Sequence, residues 1–167
     1  MALSRKKLTW RLYWTLNKIP VWLLVILVML LIFLCSIGLS MLPIAPPDKS
    51  LEEQSPLYFE IIMACVFAPI VETLAFQFIP LEVCQIVFRE KFKRRFYGLS
   101  IIVSALIFGC VHCYNWTYML YAFVTGLFLA TAYIIKRQNG MKSAILTLWA
   151  IHCAWNVMYE ILILLNL

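Results

Sequence analysis

The sequence predicts an all-α polytopic membrane protein: a helical bundle of about five transmembrane helices preceded by an N-terminal interfacial helix. Three observations predict it. The 167-residue chain is 64% hydrophobic and 13% charged, whereas a soluble domain carries about 25% charged residues. Residues 21–42, VWLLVILVMLLIFLCSIGLSML, contain no charge, and about 20 such residues cross the hydrocarbon core as a helix. Of the 14 Lys and Arg, all but Lys49 fall into three clusters separated by apolar runs. The first holds Arg5, Lys6, Lys7, Arg11 and Lys18, the second Arg89, Lys91, Lys93, Arg94 and Arg95, and the third Lys136, Arg137 and Lys142. That alternation is the positive-inside pattern.

The net charge of +6 therefore faces anionic lipid headgroups, and no nucleic acid is implied. The expected location is the cell (inner) membrane, with the N-terminus cytoplasmic. The length permits one domain, 1–167. The six cysteines lie in or beside apolar segments, and no secreted disulfide framework is implied.

In chain order, residues 1–18 mix basic residues with Trp10, Tyr13 and Trp14, which suits a helix lying in the interface. Span 1 covers about 20–42. PIAPPDKSLEEQSP reads as an outer loop. Span 2 covers about 58–81, with Pro69 inside and Pro80 near its end. A basic loop, 88–96, leads to span 3 at about 97–114. A short outer turn with Asn115 and Trp116 precedes span 4 at about 118–135. KRQNGMK then turns the chain at Gly140 into span 5, about 143–166. On span 4, Ala122, Gly126 and Ala130 recur every four residues, which lets helix backbones approach closely.

Polar side chains on these spans are few, and an ionisable group within a membrane usually faces the bundle interior. They are Glu72, Thr73 and Gln77 on span 2, His112 on span 3, and His152, Asn156 and Glu160 on span 5. Residues four apart share a helix face, which groups Thr73 with Gln77, Phe108 with His112, and His152 with Asn156. Glu72 lies on a face adjoining that of Thr73. Three helices thus each offer a polar face to one internal pocket holding an acid, two imidazoles and an amide, an acid–base inventory. Glu60 and Glu82 lie near span ends and are expected to reach the interface. Cys110 and Cys113 bracket His112, but a single C-x-x-C on one helix is weak evidence of a metal or redox site. Asn115-Trp116-Thr117 fits a glycosylation acceptor but hugs the membrane and is discounted. Counted from their basic ends, Glu72 and His152 lie about nine residues deep and His112 about fifteen, a mismatch of roughly 9 Å at 1.5 Å per residue.

Three motifs, ETLAFQ at 72–77, FGCVH at 108–112 and HCAWN at 152–156, resemble in order and spacing those of the CAAX-protease and bacteriocin-processing (CPBP, or ABI) family of intramembrane proteases. Its signatures are EExxxR, FxxxH and HxxxN or HxxxH. The resemblance spans about 65–157, the expected catalytic core. It implies a membrane-associated peptide or protein substrate, with prenylated CAAX proteins as one branch. It also implies Glu72 as the base that activates water, His112 as the group that holds that water, and His152 and Asn156 as the oxyanion site. Thr73, Gln77 and Phe108 would bind substrate or support the site. Thr73 stands at the family's second Glu and Gln77 at its Arg, so a charged pair is replaced by a neutral one able to hydrogen-bond at the same spacing.

No cofactor is favoured. The alternative is zinc on Glu72, His112 and His152, with the fourth position open to water. The rival functions are a catalytically inactive immunity or scaffold protein of the same family, and a small proton or metal carrier.

Overall fold

A computed structural model describes residues 15–39, 56–92 and 95–165. Most of the expected interfacial segment 1–18, the outer loop and part of the basic loop lie outside them. Among the described residues, a helical stretch at 15–18 is followed in order by five long helices. They are α1 (Val21–Leu39), α2 (57–92), α3 (Arg95–Val111), α4 (Trp116–Lys136) and α5 (Met141–Leu164). Among the described residues every regular element is helical. Four of the helices are long and apolar enough to cross a membrane, while the apolar part of α3, Tyr97–Val111, is shorter. The fold is a helical membrane bundle.

The helix α4 is its axis, packing against α1, α2, α3 and α5. Ala122, Gly126 and Ala130 are all buried, and the reason for small residues shows at Gly126. A Cβ there would stand 3.1 Å from Ala105 Cα and 3.3 Å from Phe108 Cβ on α3, and 3.1 Å from Gln77 Nε2 on α2. On α1 only a stripe, Leu24, Val28 and Ile32, is buried, while Leu23, Ile26, Leu30 and Leu34 are exposed. That is the pattern of a helix with one protein face and a broad lipid face.

One expectation needs correction: α2 does not end near residue 81 but continues to Phe92, so Glu82 lies well inside a helix. Its Oε1 accepts from the Tyr133 hydroxyl (2.6 Å) and Arg137 Nε (2.7 Å), and its Oε2 from Arg137 Nη2 (3.1 Å). Glu82 therefore takes part in a bidentate ion pair. The KRQNGMK turn is partly buried, with Gln138 and Asn139 exposed. Lys136 is 2% exposed, and its Nζ donates to Asn17 O (2.9 Å) and to Ile19 O, anchoring the segment before α1. Arg137–Asn139 form a 3₁₀ turn that ends at Gly140, φ +103°, a conformation available to glycine.

Candidate active site

The α2 backbone departs from the α form twice. Met63–Phe67 and Thr73–Phe78 are π turns on either side of the α-helical Ala68–Glu72. Each closes two residues before a proline, Pro69 or Pro80, and a proline within a helix has no N–H to give. In the first turn Ala68 N–H bonds Met63 O, and Pro69, five residues past Ala64, cannot donate to it. Ala64 O instead accepts from Asn156 Nδ2 on α5, at 2.7 Å. In the second turn Phe76 O, four residues before Pro80, lies 3.4 Å from Ser104 Oγ on α3, and Gln77 O lies 3.3 Å from it. The same hydroxyl donates to Gln77 Oε1 at 2.8 Å. At the first turn the carbonyl released by Pro69 thus docks α5, while at the second the short bond that docks α3 is between the Ser104 and Gln77 side chains. π turns of this kind recur at functional sites.

Between the two turns stands Glu72. Its Oε2 is 3.5 Å from His112 Nε2 and 3.5 Å from His152 Nε2. One carboxylate oxygen thus faces both imidazoles, from three different helices and their ends, at a spacing slightly beyond an ordinary hydrogen bond. The expected depth mismatch is absent. The sequence placed the basic end of α2 too early, and α3 stops at Val111 with His112 just beyond it.

Local geometry holds each ring. His112 N–H bonds Gly109 O, which leaves Phe108 O without the usual helical donor. The His112 ring takes it, with Nδ1 2.7 Å from Phe108 O. A carbonyl only accepts, so Nδ1 carries the hydrogen and, in the neutral ring, Nε2 offers a lone pair toward Glu72. His152 is 4% exposed, and its Nδ1 lies 3.3 Å from Thr73 Oγ1. The Phe108 ring packs on both, with centroids 4.5 Å from His112 and 5.6 Å from His152.

Two hollows meet here. A cleft of about 490 Å³ opens along the start of α2 and is lined by Glu72, Glu60, Phe67, Tyr114 and Glu160. A cavity of about 70 Å³ lies beside the imidazoles. Asn156 lines both.

The structure brings Glu72, Thr73, Phe108, His112 and His152 together, with Asn156 on the wall they share. Gln77 is fully buried one turn away, at Ser104, and its Nε2 has no hydrogen-bond partner among the described residues. Thr73 and Gln77 thus do not form the neutral pair expected of them; each reaches a different helix. Cys110 and Cys113 are exposed free thiols at the end of α3. Asn115 is the N-cap of α4, where Oδ1 accepts from Tyr118 N–H (2.8 Å) and the Thr117 hydroxyl (2.6 Å). That capping accounts for the Asn-x-Thr pattern. Among the described residues, no group of three His, Cys, Asp or Glu is arranged to hold a metal ion. Sequence reasoning missed Ser104 and the two π turns; the signal available for the turns was a proline inside an apolar helix.

The chain is a helical membrane bundle, and the family it matches is one of CAAX-type proteases. The family described as type II CAAX prenyl endopeptidase Rce1-like matches residues 54–158, and the chain belongs to it. Comparison with curated proteins found no match, and comparison with solved structures found none.

Proposed function

We propose that this chain is an endopeptidase that hydrolyses a peptide bond in a membrane-associated protein or peptide, without a metal. The observation that carries the reading is Glu72 Oε2 standing 3.5 Å from both Nε2 atoms. Water held between Glu72 and the His112 Nε2 lone pair gives its proton to the carboxylate. The resulting hydroxide attacks the carbonyl carbon. With Glu72 ionised, and therefore only accepting, His152 turns Nε2–H into the site while Nδ1 accepts from the Thr73 hydroxyl. That N–H and the second Asn156 Nδ2–H, the first being held by Ala64 O, receive the developing oxyanion. The proton on Glu72 then passes to the leaving amine as the C–N bond breaks.

Prenylated CAAX peptides are the first substrates to try, because the matching family is named for them. The basic clusters support an N-terminus on the cytoplasmic side of the inner membrane. The test uses the purified full chain in detergent with a farnesylated CAAX peptide. Cleavage by the native protein is expected to fall at least ~100-fold in Glu72→Gln, His112→Ala and His152→Ala, as removal of a general base or an oxyanion donor does elsewhere. Full activity of Glu72→Gln sinks the mechanism. A native chain inert toward every peptide favours a scaffold role.

A further inference from the structure

An apolar groove runs between α1 and α4 and shares no lining residue with either hollow of the candidate active site. We propose that it holds one acyl chain of an anionic phospholipid from the leaflet at the basic end of the bundle, and that this lipid fastens α1 to α4. The inference stands independently of the protease reading.

The chemistry of the lining comes first. Ten of its eleven side chains are apolar, among them Leu24, Leu27 and Leu31 of α1 and Val124, Leu127 and Phe128 of α4. The eleventh is Thr131, whose hydroxyl donates to Leu127 O at 2.7 Å within its own helix. An extended peptide laid here would leave its N–H and C=O groups unpaired, which is strongly unfavourable away from water. A hydrocarbon chain has no such groups.

Size decides between a lipid chain and another helix. Along α4 the groove runs from Val124 to Ile135, about 16 Å at 1.5 Å per residue. That is the depth of one leaflet in a hydrocarbon core roughly 30 Å thick. The volume is about 320 Å³, which over 16 Å of length gives a cross-section of about 20 Å². One polymethylene chain has that girth. A helix with its side chains is about 10–12 Å across, so a further transmembrane helix does not enter. On α1, Leu27 and Leu31 are exposed on the groove while only Leu24, Val28 and Ile32 are buried. A chain seated here adds contacts to a helix that the protein holds by one narrow stripe.

Charge selects the headgroup. The groove ends at Leu16 and Ile135, which is the basic end of the bundle. Lys136 is engaged there with Asn17 O and Ile19 O, and Arg137 with Glu82. Lys18 and Lys142 at the same end are exposed. The sequence ahead of Leu16 adds Arg5, Lys6, Lys7 and Arg11. A lipid whose chain lies in the groove carries its phosphate to this end, where an anionic headgroup is attracted more than a zwitterionic one.

The test uses the purified full chain in detergent, with dioleoyl phosphatidylglycerol or dioleoyl phosphatidylcholine added. Native mass spectrometry counts the lipids retained, and thermal unfolding is followed beside it. Phosphatidylglycerol is expected to be retained at least ~10-fold over phosphatidylcholine and to raise Tm, as a ligand of the packed state does. Thr131→Trp fills the groove from an exposed position and is expected to abolish both effects. Leu27→Trp, also exposed, carries the test if Thr131→Trp does not fold. Lys18→Gln with Lys142→Gln leaves the groove open and is expected to reduce the preference to about 2-fold or less. Equal retention of the two lipids overturns the proposal. So does retention unchanged in every folded tryptophan variant. A farnesylated peptide whose KM rises in Thr131→Trp, with phosphatidylglycerol still retained, assigns the groove to the substrate's prenyl chain and overturns the lipid.

Discussion

At Thr73 one hydroxyl stands where the family pattern has a second carboxylate, and its partner is a ring nitrogen of His152, 3.3 Å away. On the proposed mechanism Thr73 is a positioning residue: its hydroxyl donates to Nδ1 and holds the His152 ring with Nε2–H toward the substrate. Valine has nearly the same shape and no donor. Thr73→Val is expected to lower kcat about 10- to 100-fold, equivalent to roughly 1–3 kcal/mol for a buried polar atom left unpaired. KM should change little and Thr73→Ser should restore the rate. Wild-type kcat in the valine variant would remove Thr73 from the mechanism. The candidate acid, imidazoles and amide were legible in the sequence because polar groups are conspicuous on apolar helices. The partners of Thr73 and Gln77 were not legible. Spacing of four pairs them with each other on an α-helix, but both lie in a π turn, where residues are distributed differently around the axis.

At the scale of the element, Pro69 explains how α2 docks a neighbour through its backbone. A proline in a helix interior is unfavourable by about 3 kcal/mol, and the π turn before it leaves Ala64 O to accept from Asn156. Pro69→Ala returns an N–H able to compete with Asn156. It is expected to leave the melting temperature in detergent unchanged or higher, while peptide cleavage falls on the order of 10- to 100-fold through misplacement of Asn156. A variant that loses stability yet keeps its activity contradicts this account. The prolines were visible in the sequence. Which carbonyl each one frees depends on the register of the turn before it, and that register is fixed by packing against α3 and α5.

Across the whole molecule a second polar cluster ties α2 to α4. Glu82, Tyr133 and Arg137 form it, and Lys136 next to them holds the segment before α1. The sequence hid this because acidic and basic residues near span ends usually reach water by snorkelling; only the unbroken run of α2 to Phe92 brings Glu82 opposite Arg137. Breaking a fully buried pair by removing one partner costs about 3–5 kcal/mol. Here the Arg137 side chain is 32% exposed and that of Glu82 16%, so Glu82→Gln and Arg137→Gln are each expected to lose less, about 1–3 kcal/mol. The double variant Glu82→Gln/Arg137→Gln should lose less than the two single losses combined. Unfolding in mixed micelles measures all three, and strict additivity would show the pair to be uncoupled.

The short third helix has a further consequence. Fifteen apolar residues, Tyr97–Val111, reach only about 22 Å at 1.5 Å per residue, against roughly 30 Å of hydrocarbon. A helix this short is met by a locally thinned bilayer or by flanking side chains that reach up to the headgroups. Where the bilayer thins at the Val111 end, the headgroup region comes close to His112, which stands just beyond that end.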